Sequence, residues 1–319
     1  MIYKGIFLFA PLAGQGLKVQ RLMVSTNVSV REIARKMIKS VIHWLVLLVC
    51  VQTAQAQPTL LFVIADTGDC RNQGTAQVAA ALKEQPGANE GTLLEVGDLA
   101  YPVATRERLL ECHEPYWGSF RKRLAVPGNH DWSDPDAAGF FSIFPQPVPR
   151  KVPLDSDGTW QVLLLDSNLR GVAWDAQTKW LETTLAQSKD ECLIAAWHHP
   201  RWSSGRHGDN AFTQALWEQM QRKVTLTLHG HDHHFEILPA LDAQGNPSPA
   251  GVESFIVGNG GAYLYQPGSK VYSKRTQFGV WGFMRLELEG MHYRWQAIGV
   301  DRMVKDSGAG TCRTVSGNK

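Results

Sequence analysis

Gly97-Asp98-Leu99-Ala100-Tyr101 is the stretch on which the reading of this chain turns. Immediately before it runs Thr92-Leu93-Leu94-Glu95-Val96, short and rich in apolar residues, the pattern of a buried strand. A glycine ends the run and lets the backbone turn sharply. A carboxylate follows, and three residues later a phenol. The carboxylate has two oxygens and can bridge two cations; a phenolate is a hard anionic donor suited to a trivalent ion. The stretch therefore predicts a strand that ends at a metal centre, with Asp98 between two ions and Tyr101 on one of them. Other ligands should arrive from the ends of neighbouring strands.

Outward from it the pattern repeats. Residues 60–65 form an apolar run that stops at Asp66-Thr67-Gly68-Asp69. Residues 124–127 lead into Gly128-Asn129-His130-Asp131, and 160–165 into Asp166-Ser167. Residues 192–197 stop at His198-His199-Pro200. Residues 224–228 stop at His229-Gly230-His231-Asp232-His233-His234. Helices are expected over 73–83, 105–123 (Leu109, Leu110 and Trp117 facing inward), 178–188 and 211–223. Residues 132–158, rich in proline, aromatics and aspartate, read as a long loop over the site. Strand and helix in alternation imply a parallel sheet with right-handed crossovers. The runs 253–257, 280–287 and 293–298 are expected to complete a second sheet.

Five runs thus stop at a ligand-type residue: Asp66, Asp98, Asn129, His198 and His231. In open α/β sheets, ligands sit beyond the carboxyl ends of the strands, so the five can converge. Singly they mean little, since an aspartate after a strand is usually a turn former. Jointly they are specific. Seven of the eleven histidines lie between 198 and 234. His231 and His233, two apart, can present both rings on one side of an extended segment; His229 and His234 have no motif position and read as supports of the ligands or as structural.

The ordered motifs D-x-G, G-D-x-x-Y, G-N-H-D, H-x-P and G-H-x-H, spread over residues 60 to 262, resemble those of the calcineurin-like metallophosphoesterases. Within them they resemble the purple acid phosphatase-like branch. The wider superfamily opens with D-x-H. Here residue 68 is glycine, and Tyr101 stands where the wider superfamily has no ligand; one imidazole is exchanged for one phenolate. The resemblance implies an α/β fold, a four-layer α/β/β/α sandwich with two mixed sheets. It implies that Asp66, Tyr101 and His233 hold Fe(III), that Asp98 bridges, and that Asn129, His198 and His231 hold a divalent Fe, Zn or Mn. Oxygen-rich donors for one ion, imidazole and amide for the other, fit that division. His199 stands where related proteins vary.

Two cations can clamp the attacking and leaving oxygens of a phosphoryl displacement and turn bound water into hydroxide at working pH. The expected reaction is in-line hydrolysis of a small-molecule phosphomonoester, as in an acid phosphatase. His130 is the candidate general acid, with Asp131 to orient it; the alternative is that His130 only binds phosphate. Asn129, His199 and His207 are candidate substrate-binding residues, and Arg206 shares the loop of His207. Trp132 and Trp202 either stack on a leaving group or wall the site. A phosphodiesterase or nucleotidase of the same fold is the rival enzyme. An exported protein that binds metal or phosphate without turnover is the rival outside enzymes.

Residues 37–56 have the composition of a secretory signal. Lys39 supplies the charge, 41–51 the apolar stretch, and Ala54-Gln55-Ala56 a cleavage site, which makes the protein periplasmic or secreted from Gln57. The apolar stretch is too short to span a bilayer, which takes about 20 residues; lipidation at Cys50 is the weaker alternative. Residues 57–303 read as one phosphoesterase domain and 304–319 as a loose polar tail. The 319 residues carry 32 Lys and Arg against 30 Asp and Glu, but seven of the basic and one of the acidic residues lie in 1–56. The remainder, 25 against 29, argues against a nucleic-acid surface. Four cysteines follow the leader. They allow three pairings; Cys70 with Cys112 and Cys192 with Cys312 is the pairing adopted here, a buried free thiol the alternative. Sequence leaves the oligomeric state open.

Overall fold

Leu61 and Val63 point into one core and Phe62 and Ile64 into another, and all four are fully buried. A strand covered on both faces reads as a continuous apolar run, without alternation. The computed structural model describes residues 35–37, 39, 57–188, 191–273 and 275–313. Its elements are β1 (Thr59–Ile64), α1 (Gly74–Lys83), β2 (Thr92–Val96), α2 (Arg106–Cys112), α3 (Glu114–Trp117), β3 (Lys122–Val126), α4 (Ala138–Ile143), β4 (Arg150–Pro153) and β5 (Trp160–Leu164). They continue with α5 (Gly171–Gln187), β6 (Cys192–Ala196), α6 (Gln214–Met220), β7 (Leu226–His229), β8 (Phe235–Leu241), β9 (Val252–Val257), β10 (Thr276–Gln277), β11 (Gly282–Glu289), β12 (His292–Gly299) and β13 (Val304–Thr311). The expected signal segment lies, apart from Met37 and Lys39, outside the described residues. No helix among the described residues is long and apolar enough to cross a membrane.

Two mixed sheets result. The first has the order β13-β12-β11-β1-β2-β3, the second β10-β8-β9-β7-β6-β5-β4. β1, β2 and β3 run parallel, as do β5, β6, β7 and β9. Leu61, Val63, Leu94, Val162, Ile194, Phe255 and Leu286 fill the space between the sheets. On the outer face of the first sheet, Val78 and Leu82 of α1 cover Phe62 and Ile64. On that of the second, Leu181 and Leu185 of α5 and Leu216 and Trp217 of α6 cover Leu163 and Ile256. The four expected layers are present.

Several expectations need correction. β11 and β12 complete the first sheet, where β11 pairs antiparallel with β1, and only β9 of the three late runs joins the second. Alternation reports which face is buried and is silent on the partner strand. The expected helix over 105–123 breaks at His113, whose φ of −122° is not helical. Pro115 has no N–H to continue the ladder, and Leu110 is exposed. The region 132–158 contains α4 and β4, and α5 starts at Gly171, well before the expected 178.

Residues 304–311 of the expected loose tail instead form an edge strand. β13 pairs antiparallel with β12, setting Gly308 beside Trp295 and Gly310 beside Tyr293. A Cβ on Gly308 would stand 2.8 Å from the Trp295 ring, and one on Gly310 would fall on the Tyr293 ring. The small residues that look like a disordered composition are the floor on which two aromatic rings lie, a pairing that stabilises edge glycines. Cys312 then closes the strand onto Cys192, and Cys70 joins Cys112. The pairing adopted from sequence is the one found.

Candidate metal centre

The ends of β1, β2, β3, β6 and β7 meet. The loops after β1 and β2 are zipped together: Asp66 N–H donates to Gly97 O (3.0 Å) and Thr67 N–H to Asp98 O (3.1 Å). Gly230 N–H donates to His198 O (3.1 Å), tying the ends of β7 and β6. Asp66, Asp98 and His231 all sit in the left-handed region, with φ of 55°, 55° and 71°. Such strain in non-glycine residues persists only where the surroundings over-determine it and clusters at functional sites.

Around Tyr101 the donors are close. Its hydroxyl lies 2.9 Å from Asp66 Oδ1, 3.2 Å from Asp98 Oδ2 and 3.1 Å from His233 Nε2. His233 Nε2 is 3.3 Å from Asp66 Oδ1. Donors about 2.1 Å from one ion and at right angles to each other stand roughly 3 Å apart, so this trio fits one cation. On the other side of Asp98, His198 Nε2 lies 3.2 Å from Asp98 Oδ2. It makes no hydrogen bond among the described residues, although it is fully buried. Asn129 Oδ1 and His231 Nδ1 stand 3.0 Å apart. Asp66, Asp98 and His198 offer ligand atoms within 4.8 Å of one another, as do His198, His199 and His231. All seven residues expected to bind metal lie in one continuous group.

Backbone carbonyls set the ring orientations. His198 Nδ1 donates to Val96 O (2.8 Å) and His233 Nδ1 to Tyr263 O (2.5 Å). Each bond leaves the Nε2 lone pair facing inward, the usual support of a metal-binding imidazole. The charges of the bare site point the same way. Burial opposes a charge on His198, but Asp98 and then Asp66 outweigh it and lift the ring to about 10. Burial likewise opposes the Asp98 carboxylate, and His198 holds it far below the usual range. Burial, then the Asp66 and Asp98 carboxylates, push the Tyr101 phenol well up. Burial, then His198 and His199, push His231 down. Two buried carboxylates demand a positive charge, and a proton on His198 fills that need; a cation would displace it.

His130 is at the rim. Its backbone N–H donates to Asp98 Oδ1 (2.8 Å), its Nδ1 to Pro102 O (2.6 Å), and its ring packs on Tyr101 with centroids 4.4 Å apart. Asp131 does not orient it. The Asp131 carboxylate is buried and accepts from the backbone N–H groups of Gly128 (2.7 Å), Asp98 (2.9 Å) and Leu99 (3.1 Å). It clamps the loop after β3 to the loop after β2, because three buried amides need an acceptor.

His207 reaches the site, stacked on His231 with centroids 4.3 Å apart. Asp232 holds its loop, accepting from His207 N–H (2.8 Å) and Ser203 Oγ (2.5 Å). Trp132 is anchored to Asp166 through Nε1 (2.9 Å) and packs against the cluster of Leu99, Leu109 and Phe140. Trp202 lies away from the site, in the core outside the second sheet. His229 bonds Trp197 O and His234 bonds Glu236, both buried and structural. Sequence reasoning missed Tyr265, which stacks flat on His233 (4.0 Å, 7°) and has the Arg206 guanidinium over its ring, 5.3 Å from the centroid. The glycine-rich run from Gly258 to Gly261 just before it was the available signal. A cavity of about 530 Å³ opens beside Thr59, Thr92, Lys122 and Arg285, at the opposite ends of the strands, and holds none of these residues.

A family model described as calcineurin-like phosphoesterase matches residues 60–235, more than half of the chain. A stretch of 67 residues is 36% identical to tartrate-resistant acid phosphatase type 5 of Sus scrofa. That match spans 19% of this chain and 19% of the relative, so the chain aligns with about a fifth of it. Among solved structures, the fold is similar to GAP50, the anchor in the inner membrane complex of Plasmodium. There the TM-score is 0.65 at 15% identity, covering 81% of this chain and 89% of that one. It is also similar to the purple acid phosphatase PPD1 of yellow lupin, with a TM-score of 0.59 at 16% identity, covering 81% and 54%.

Proposed function

The chain belongs to the calcineurin-like phosphoesterase family, and from that premise we propose that it is an exported, acid phosphatase-like hydrolase of phosphomonoesters. The observation that carries the reading is the Tyr101 hydroxyl set among Asp66, Asp98 and His233, beside a buried His198 Nε2 that has no hydrogen-bond partner among the described residues. Asp66, Tyr101 and His233 would hold Fe(III). Asn129, His198 and His231 would hold a divalent Fe, Zn or Mn, with Asp98 shared. Two cations held there supply Lewis-acid charge and lower the pKa of water.

The side chains do the rest. His130 commits Nδ1–H to the Pro102 carbonyl, so its neutral ring offers only a lone pair at Nε2. Giving a proton to a leaving alkoxide therefore requires the imidazolium. Asp131 keeps the His130 backbone in register by clamping the loop. His207, stacked on His231, and Arg206, over the Tyr265 ring, would bind a phosphate oxygen. The two disulfides suit an oxidising compartment, which supports export.

Protein purified without chelator should carry two metals per chain, one of them iron, with a visible phenolate-to-iron absorption band. Asp98→Asn should lose the metals, the colour and hydrolysis of a chromogenic phosphomonoester together. Retained turnover in that variant would refute the shared-carboxylate role. A panel of mono- and diesters separates the phosphatase from a phosphodiesterase or nucleotidase.

A further inference from the structure

His199 is left over by the ligand set above, yet it is built like a ligand. It is nine-tenths buried, and its ring lies against His231 with centroids 4.3 Å apart and edge-on to His198 at 5.0 Å. Its Nδ1 is 2.7 Å from Ser167 Oγ. Ser167 is itself buried and also accepts the His199 backbone N–H at 3.2 Å. Trp197 Nε1 donates to His199 O at 2.8 Å, fixing the peptide from the other side. The ring is thus pinned at one nitrogen. Its Nε2 makes no hydrogen bond among the described residues, and the ring offers a ligand atom within 4.8 Å of those of His198 and His231.

We infer that His199 is a third imidazole on the divalent side of the centre, joining His198 and His231, with Ser167 as the partner that holds its ring. This rests on the two-cation reading above. With Nδ1–H given to the serine oxygen, Nε2 presents its lone pair toward the other two rings, the arrangement of a supported metal-binding histidine. Each of the three rings then has a fixed partner on its far side or a neighbour in the set: Val96 O for His198, Asn129 for His231, Ser167 for His199. Three nitrogens, one amide oxygen and one carboxylate form a softer set than two nitrogens would. Such a set favours zinc over manganese or magnesium at that position.

The test measures metal binding and needs no turnover. Full-length protein is stripped of metal and titrated with Zn(II) or Mn(II) against a chromophoric chelator. His199→Gln should weaken Zn(II) at one of the two sites by about tenfold or more, and Mn(II) by less, with an unchanged circular dichroism spectrum. Ser167→Ala, which keeps the imidazole but frees it, should give a smaller loss of the same sign. X-ray absorption at the zinc edge should lose one imidazole in His199→Gln. Zn(II) affinity and Zn/Mn preference within about twofold of wild type, with the imidazole count unchanged, would overturn the assignment while leaving the two-cation centre standing. A wild-type chain that takes up no second cation would overturn both.

Discussion

Residue 68 marks the boundary between what this centre has and what it lacks. Gly68 has φ of +40°, and a Cβ there would fall on the Leu99 carbonyl oxygen. Tyr101 N–H in turn donates to Gly68 O (3.3 Å). The loop after β1 is therefore pressed against the backbone of the loop that carries Tyr101, and there is no room for a side chain at 68. Gly68→Ala is expected to cost about 1–3 kcal/mol from the backbone conformation alone, with more from the collision. Urea unfolding measures the cost. Gly68→His should not restore a ligand; metal content should fall rather than rise.

At the scale of elements, the break between α2 and α3 is held by buried charges. His113 Nε2 lies 2.6 Å from Glu95 Oε2 of β2, and Nδ1 lies 3.1 Å from Glu114 Oε1. Arg123 of β3 binds Glu95 (2.8 Å) and Glu114 (2.9 and 3.0 Å). Burial opposes the charge on each, and each partner's opposite charge outweighs it: His113 is raised, Glu95 is lowered, and Glu114 is lowered to about 2. A raised histidine stabilises fully below its ordinary 6.5, and that contribution is lost as pH rises through the folded value. Lowered glutamates stabilise above their ordinary 4.5, and lose it as pH falls through the folded value, which for Glu114 is about 2. The contributions coincide between about 4.5 and 6.5. His113→Gln should lower the Tm most in that window, by about 1–3 kcal/mol of stability. It should also flatten the alkaline decline of Tm. An unchanged pH profile would show that the network is neutral to stability.

Across the whole molecule, Cys192–Cys312 connects the start of β6 in the second sheet to the end of β13 in the first, over a sequence separation of 120. A closed loop of that length removes about 4–5 kcal/mol of chain entropy from the unfolded state. Replacing both cysteines with alanine should lower the unfolding free energy in urea by about that amount. It should also free β13, read as hydrogen exchange from Val304 to Thr311. The Cys70–Cys112 bridge closes a separation of only 42 and should contribute less, about 3–4 kcal/mol.

The strand ends and the donor types at them were legible in the chain. A buried strand needs an apolar run, and a donor-type residue closes each one, so the converging set of Asp66, Asp98, Tyr101, His198, His231 and His233 can be read at the strand ends. Other decisions belonged to the tertiary structure alone. The carbonyls of Val96, Pro102 and Tyr263 orient the imidazoles, but every residue carries a carbonyl, and only the folded path selects these three. Asp131 was given to His130 by adjacency in sequence and went instead to three backbone amides brought from two loops. The late strands joined β1, and the glycines of the tail became an edge strand under Trp295 and Tyr293. Local chemistry fixes what a segment can offer; which distant group takes up the offer depends on burial shared across the whole fold, which no local stretch encodes.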